Sequence, residues 1–198
     1  DLYSGNILQD DLNNAYIADL GLSIMPNIKH KEEKSNGIFG ILQYVAPEVL
    51  DEGMYTTASD IYSFGIIMWE ILYGRLVSYN QDIGPFLQKA ICDNGLRPNI
   101  IDNSPRDYVN LMKECWNKEP EKRPTAEEIC KIFTEWQCDD KIMLELSESD
   151  SMIKDSKNIH DETNLEILNG SKFIPYTKSL SQHCYKGKSY LMIFLFKV

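Results

Sequence analysis

The chain has 198 residues, of which 43% are hydrophobic, and its formal net charge at pH 7 is −10. This length can bury one sizeable core and allows a domain with a tail, but hardly two full domains. The acidic balance argues against a nucleic-acid-binding surface, because such a surface needs basic side chains to displace counterions from phosphates. Basic peptides would be better-suited partners.

The cysteines and the apolar runs indicate the compartment. The five cysteines form no C-x-x-C pair and have no histidine at metal-ligand spacing. This pattern is typical of a reducing, cytoplasmic environment. The sequence also shows no signal-peptide pattern and no apolar run of the roughly 20 residues that a membrane span needs. We therefore expect a cytoplasmic chain without a transmembrane segment.

Three short motifs near the amino end carry candidate chemistry. Asp1 lies five positions before Asn6, an apolar run leads into Asp19-Leu20-Gly21, and Ala46-Pro47-Glu48 follows at a distance that suits one ordered loop. An acid can accept a hydroxyl proton, while amide and carboxylate oxygens can hold a metal. The acid and amide alone are weak evidence, but three motifs in order and spacing are hard to ascribe to chance.

Together these motifs resemble the protein-kinase signature set, with a catalytic loop, a metal-binding motif and the Ala-Pro-Glu that closes an activation segment. The resemblance covers about residues 1–136. The run from Ser59 to Gly65 and the Cys115-Trp116 pair are most similar to tyrosine-kinase-like and receptor-type kinases. The resemblance implies a mainly α fold: the large, carboxy-terminal lobe of a kinase, with a short β-hairpin at the catalytic and metal loops.

The resemblance also implies a catalytic site that uses ATP and Mg²⁺ on protein substrates. Asp1 would orient the acceptor hydroxyl, and Asn6 and Asp19 would hold the metal, with Gly21 beside the nucleotide. Because the sequence starts on Asp1, within the first motif, we expect a fragment of a longer kinase.

Structural roles are implied for three further charged residues. Arg123, framed by prolines, would pair with Glu48 and anchor the end of the activation segment, whereas an exposed surface arginine is the simpler alternative. Asp60 would bond the backbone of the catalytic loop. From the residues alone, Asp60 could equally be a helix cap, and both readings can hold together.

The pattern before residue 45 predicts a hairpin and a long loop. Residues 7–18 form short strands around a polar turn, which would set Asn6 and Asp19 side by side. Residues 21–44 read as a mixed-charge loop with Gly37 and Gly40 as hinges. By composition a solvated surface loop is the alternative, but the position between the metal motif and Ala46-Pro47-Glu48 favours an activation segment. Ser23 and Ser35 are its candidate phosphorylation sites.

Four helices are predicted after it. The first covers 59–73, is apolar nearly all round and therefore buried, and stops at Gly74. The second covers 83–93. The third begins with Ser104 as N-cap, and the fourth with a capping box at Thr125. Apolar side chains recur at helical spacing in the last two, at Tyr108, Leu111, Met112 and Cys115 and at Ile129, Ile132, Phe133 and Trp136.

The periodicity fails after Trp136. We predict a kinase lobe over 1–136, a polar and largely disordered tail over 137–189, and an apolar end over 190–198 that is suited to β-structure.

Two positions concern the substrate. Where typical serine/threonine kinases carry Lys after the catalytic Asp and Thr in the loop before Ala-Pro-Glu, this chain has Tyr3 and Ile41. The joint loss of these two polar partners leaves the hydroxyl preference open. Because tyrosine kinases resemble this loop no better, serine/threonine specificity is favoured over tyrosine.

The sequence contains no Gly-rich loop and no strand lysine of an amino-terminal lobe. We predict an ATP-dependent protein kinase domain in signal transduction that is inactive as this chain alone. The alternative is a pseudokinase that serves as a scaffold or binding module.

Overall fold

A computed structural model describes residues 2–11, 14–19, 37–53, 55–79, 84–156, 172–175 and 196–197. Helices dominate these residues: α1 Pro47–Glu52, α2 Thr57–Tyr73, α3 Pro85–Cys92, α4 Arg106–Cys115, α5 Ala126–Gln137 and α6 Asp140–Ser156. The strands are β1 Ile7–Gln9, β2 Asn14–Ile17, β3 Gly37–Gly40, β4 Lys172–Pro175 and β5 Phe196–Lys197. The predicted mainly helical lobe with a small antiparallel sheet is confirmed.

Helix α2 is the centre of the core. Its residues Ile66, Ile67 and Met68 have no exposed surface. The helix begins with a capping box in which the Thr56 hydroxyl accepts from the Ser59 N–H, and it ends at Gly74, where φ is 60°. Glycine adopts this left-handed conformation without strain. Since Thr56 is the N-cap, the reading of Asp60 as the cap is wrong.

Helices α2 and α4 approach each other closely at Gly65. A Cβ atom added there would lie 2.9 Å from the Cys115 Cβ and 3.0 Å from the Trp116 nitrogen. No side chain fits between the two helices at this point, so the sequence needs glycine in the middle of a helix, where it otherwise costs stability. Along α4, the predicted stripe of Tyr108, Leu111, Met112 and Cys115 is buried as expected.

Of the two N-caps predicted for the last two helices of the lobe, one is confirmed and one is wrong. At α5 the predicted capping box is present between Thr125 and Glu128. At α4 the predicted cap is wrong, because the N-cap position is Pro105. The Ser104 hydroxyl instead donates to the Ile101 carbonyl at 2.7 Å and lies 2.8 Å from the Tyr73 hydroxyl. One local partner, Ile101, and one tertiary partner, Tyr73, therefore replace the expected cap contact of the Ser104 hydroxyl.

Helix α6 lies inside the segment for which the sequence predicts disorder, so for residues 140–156 that prediction is wrong. The Asp139 carboxylate caps the helix by accepting from the Lys141 and Ile142 N–H groups at 2.9 and 3.2 Å. Ile142 and Leu146, one turn apart, pack against the core. A cap and a two-residue apolar contact are enough to fix this helix on the lobe.

Strand β3 lies in the predicted activation segment, shortly before Ala46-Pro47-Glu48. It pairs antiparallel with β4, and Ile38 lies opposite Ile174. Gly37 and Gly40, which the sequence predicts to be hinges, are the first and last residues of this strand. At the other sheet, β2 pairs with β1 and with β5.

Among the described residues, Cys92, Cys115, Cys130 and Cys138 are free thiols. No helix in that part of the chain is both long and apolar enough to cross a membrane.

Candidate active site

The β1–β2 hairpin brings Asn6 and Asp19 to the same end of the sheet. Ile7 lies opposite Ile17 in the ladder, and beyond this pair the Ala18 N–H donates to the Asn6 carbonyl at 2.7 Å. The turn is closed by Asp10, whose carboxylate accepts from the backbone N–H of Asn14 at 2.8 Å. The chain therefore returns in a fixed register, with Asn6 before one strand and Asp19 after the other.

The backbone at Asp19 is unusual. Its φ is 53°, which is uncommon outside glycine, although Asp tolerates this region better than most residues. Such conformations persist only where the surroundings over-determine them, and they cluster at functional sites. The Asn6 side chain, next to it, is buried, while Asp19 is exposed. One candidate ligand thus lies in the packed interior and the other at the surface.

This pair fits Mg²⁺ bound together with a phosphate ligand. Amide and carboxylate oxygens are hard donors, and Mg²⁺ commonly takes only one or two protein carboxylates, with water and phosphates completing its octahedron. Within the described residues, no group of three or more His, Cys, Asp or Glu side chains could hold a metal. These residues therefore do not supply a complete set of metal ligands from protein side chains alone.

A hydrogen-bonded chain joins the loop that contains Asn6 to helix α2. The Ser4 and Tyr44 hydroxyls lie 3.2 Å apart, and the Tyr44 hydroxyl donates to Glu70 Oε1 at 2.7 Å. The Val77 N–H donates to the same carboxylate oxygen at 2.9 Å. Burial, with the nearby Glu70 charge, raises the pKa of Tyr44 far above its ordinary value, so the phenol stays protonated and donates.

Sequence reasoning missed Tyr44 and Glu70 as site residues. The available signal was Glu70 itself, an acid within the otherwise apolar helix α2. A buried carboxylate is rarely tolerated without hydrogen-bond partners. Its partners, however, come from a different segment of the chain, and the sequence does not reveal which one.

Tyr3, which replaces the usual lysine, packs its ring against Tyr44 with 5.9 Å between centroids. A Cβ at Gly5 would overlap the Tyr3 ring. Ile41, the other departure, is buried, with 6% of its surface exposed. Both residues thus contribute to packing: Tyr3 through its ring contact with Tyr44, and Ile41 as part of the buried core.

Asp60 lies at a cleft that also contains Leu2, Gly40 and Val45. Its carboxylate accepts no hydrogen bond from the described residues of the catalytic loop, 2–6. The surrounding protein reduces its solvation, which raises its pKa above the ordinary value. Since Asp60 is nevertheless an exposed residue, water still screens much of this effect.

The structure brings Arg123 and Glu48 together as a bidentate pair. The two guanidinium N–H groups donate to the two carboxylate oxygens at 2.7 and 2.8 Å. Arg123 also donates to the Ala58 and Asn117 carbonyls, each at 2.8 Å, and its guanidinium carbon lies 5.2 Å from the centre of the Tyr62 ring. The arginine side chain has no exposed surface, so the alternative of a surface arginine is excluded.

Four predicted site residues, Asp1, Gly21, Ser23 and Ser35, lie outside the described residues.

The sequence is similar to known protein kinases. The family model described as protein tyrosine and serine/threonine kinase matches residues 1–133. The dual specificity protein kinases shkA and shkC of Dictyostelium discoideum are 33% and 37% identical to the chain over 65% of its length, covering 25% and 26% of their own. The human mitogen-activated protein kinase kinase kinase 7 is 40% identical over 48% of the chain and 16% of its own length.

The chain thus spans about a quarter or less of these relatives. The match over residues 1–133 includes the hairpin, the Ala-Pro-Glu motif and helices α1 to α4. The chain belongs to the protein tyrosine and serine/threonine kinase family.

Proposed function

We propose that this chain is the helical lobe of an ATP-dependent protein kinase, and that Asn6 and Asp19 hold Mg²⁺ in its catalytic site. The observation that carries the proposal is their convergence at one end of the β1–β2 hairpin, with Asp19 in a left-handed conformation. A scaffold has no physical need for two converging oxygen ligands. This favours an enzyme over a pseudokinase.

In the proposed reaction, Asp1 orients the acceptor hydroxyl and takes its proton as that oxygen bonds to the γ-phosphorus of ATP. The bond between the γ-phosphorus and the oxygen that bridges it to the β-phosphate breaks, and ADP leaves. Bound Mg²⁺ would supply charge neutralisation on the phosphate oxygens. Asn6 and Asp19 would fix its position, while Ser4, Tyr44 and Glu70 tie the catalytic loop to helix α2.

The acceptor is proposed to be a serine or threonine of a protein, with tyrosine as the second choice. The family is described as tyrosine and serine/threonine kinases, and two of the relatives named above are dual specificity kinases by name, which supports transfer to a protein hydroxyl without separating these acceptors. The enzyme is proposed to work in the cytoplasm in signal transduction. The free thiols are compatible with a reducing compartment.

Phosphoryl transfer by a completed enzyme tests the proposal. The 198 residues would be fused behind the amino-terminal lobe of a related kinase, which supplies a Gly-rich loop and a strand lysine. We expect radiolabelled γ-phosphate to appear on serine or threonine of a mixed protein substrate, and the label to be lost in Asp1→Asn. If the fusion folds and binds ATP but labels no protein, the chain is a binding module instead.

A further inference from the structure

We propose that residues 172–175 are an intramolecular occupant of a peptide-docking edge on the activation segment. This inference rests on the proposed function, because it assigns a regulation to the same site. The occupied edge is strand β3, Gly37–Gly40, and the occupant is strand β4, Lys172–Pro175. In this arrangement the chain blocks the strand along which an extended peptide would bind.

Strand β3 borders the cleft at the predicted catalytic loop. Its residues Phe39 and Gly40 line the cleft that also contains Leu2 of the catalytic loop and Asp60. From β3 the chain continues through a 3-10 turn at Leu42–Tyr44 into Pro47–Glu52, the helix that Arg123 anchors through Glu48. An extended peptide paired with β3 would therefore run beside the catalytic loop on a rigidly held strand.

Strand β4 pairs with β3 along its whole length. All four residues of β3 have a partner in β4, from Gly37 opposite Pro175 to Gly40 opposite Lys172. Addition of a strand to an exposed sheet edge is a recurring mode of peptide recognition, in which the backbone supplies affinity and alternate side chains supply specificity. Within the described residues β3 has no other strand neighbour, so β4 is what completes the sheet.

The side chains of the β3–β4 pair indicate which peptide the edge of β3 would accept. Ile38 and Ile174 face each other in the register, with 5% and 8% of their surfaces exposed, and both belong to the core cluster. Phe39, the next residue of β3, is 58% exposed. The sheet thus has one apolar face that accepts an aliphatic side chain opposite Ile38. A charged residue at that position would have to be buried without a partner.

Strand β4 and a separate peptide would compete for the same edge of β3. Strand β4 belongs to the same chain as β3, so their association is intramolecular, with an effective concentration of roughly millimolar for a short tether. A separate peptide of similar chemistry binds β3 only when β4 has left it. Detachment of residues 172–175 would therefore open the proposed peptide site without any change in the catalytic loop.

The test is peptide binding by the full chain, without ATP or turnover. The probe is a fluorescently labelled peptide with the sequence of residues 170–177, measured by anisotropy. Ile174→Asp should detach β4, and we expect it to bind the probe at least about tenfold more tightly than the unchanged chain does. Ile167→Asp, the same substitution elsewhere in the tail, should bind like the unchanged chain. A probe with Asp in place of its isoleucine should bind neither.

Equal affinity of Ile174→Asp and the unchanged chain for the probe would overturn the proposal, whether both bind or neither does. Hydrogen exchange guards against a folding defect. Amides of residues 37–40 should exchange faster in Ile174→Asp, while those of helix α2 keep their protection. Added unlabelled peptide should restore slow exchange in residues 37–40, and failure to restore it would also count against the proposal.

A dimer in the unchanged chain, dissolved by Ile174→Asp, would show that β4 pairs with another copy and would contradict intramolecular occupancy. Because binding is measured without catalysis, its outcome is distinguishable from that of the phosphoryl-transfer experiment.

Discussion

Arg123 anchors helix α1 through its ion pair with Glu48. Arg123→Ala leaves the Glu48 carboxylate without its partner, in a side chain that is only 16% exposed. Removing one member of such a pair costs about 3 to 5 kcal/mol, because the remaining charge is poorly solvated. We therefore expect a large fall in the melting temperature for Arg123→Ala and a similar fall for Glu48→Ala.

Lys131→Ala is the matched control for this prediction. Lys131 lies 3.9 Å from Glu135, but the two side chains are 78% and 64% exposed, and such surface pairs contribute little. Its melting temperature should stay close to that of the unchanged chain. If Arg123→Ala melts within the range of Lys131→Ala, the ion pair does not carry the stability assigned to it.

Cys115 makes stability depend on pH in the alkaline range. Burial raises the pKa of its thiol to about 12 from an ordinary value of 9.0. The unfolded chain therefore releases this proton at lower pH than the folded one, and the contribution of the neutral thiol is present below pH 9.0 and declines as pH rises towards about 12. Denaturant titrations from pH 8 to 11 should show a shallower decline for Cys115→Ala than for the unchanged chain, whereas parallel curves would contradict the assignment.

At the scale of elements, the contact between α2 and α4 depends on Gly65. Gly65→Ala places a methyl group 3.0 Å from the Trp116 nitrogen, which is backbone and cannot move aside. Overpacking of this kind costs about 1 to 3 kcal/mol, more than the gain in helix propensity. Urea unfolding should give a lower midpoint for Gly65→Ala. Asn110→Ala on the exposed face of α4 is the control, and equal midpoints would show that the helices can separate at no cost.

The helices could be predicted from the sequence because their information is local. The stripe of Tyr108, Leu111, Met112 and Cys115 lies within about two helical turns, and the capping box at Thr125 lies within one. Ser104 shows the limit of this reasoning, because its hydroxyl, suited to a cap, instead donates to the carbonyl of Ile101 three residues earlier and lies against Tyr73 of helix α2. The β3–β4 pairing joins segments more than a hundred residues apart, and no local pattern specifies it.

Helix α6 was missed because its serines and acids outweigh a short apolar stripe. Because α6 is a helix, the product of limited proteolysis should be longer than the one that a disordered tail would give. Limited digestion should spare residues 140–156 and leave a product that ends beyond Ser156, because packed helices resist cleavage.

Asp139→Ala removes the N-cap of α6, which costs about 1 kcal/mol locally, and should allow cuts near residue 140. Lys141→Ala serves as the control, since Lys141 is exposed and its ion pair is 4.0 Å long. Cleavage near residue 140 in the unchanged chain would contradict a docked α6.

At the scale of the whole molecule, the proposed site would form one side of a nucleotide cleft. Leu8 and Tyr16, opposite each other in the hairpin, are 56% and 44% exposed. Such apolar side chains beside the proposed metal ligands suit contact with an amino-terminal lobe. We expect the 198 residues alone to transfer no phosphate, since they contain no Gly-rich loop and no strand lysine to orient ATP. Mg-ATP-dependent labelling of a protein by this chain alone would contradict that expectation.

The central claim is that Asn6 and Asp19 are metal ligands, and Asp19→Asn in the completed kinase tests it most directly. We expect this variant to fold and melt like the unchanged fusion while its Mg²⁺-dependent kcat falls by at least about a hundredfold, because a neutral amide binds the cation more weakly. Asp11→Asn, an exposed substitution in the same hairpin, should keep full activity. Full activity of Asp19→Asn at limiting Mg²⁺ would contradict the account.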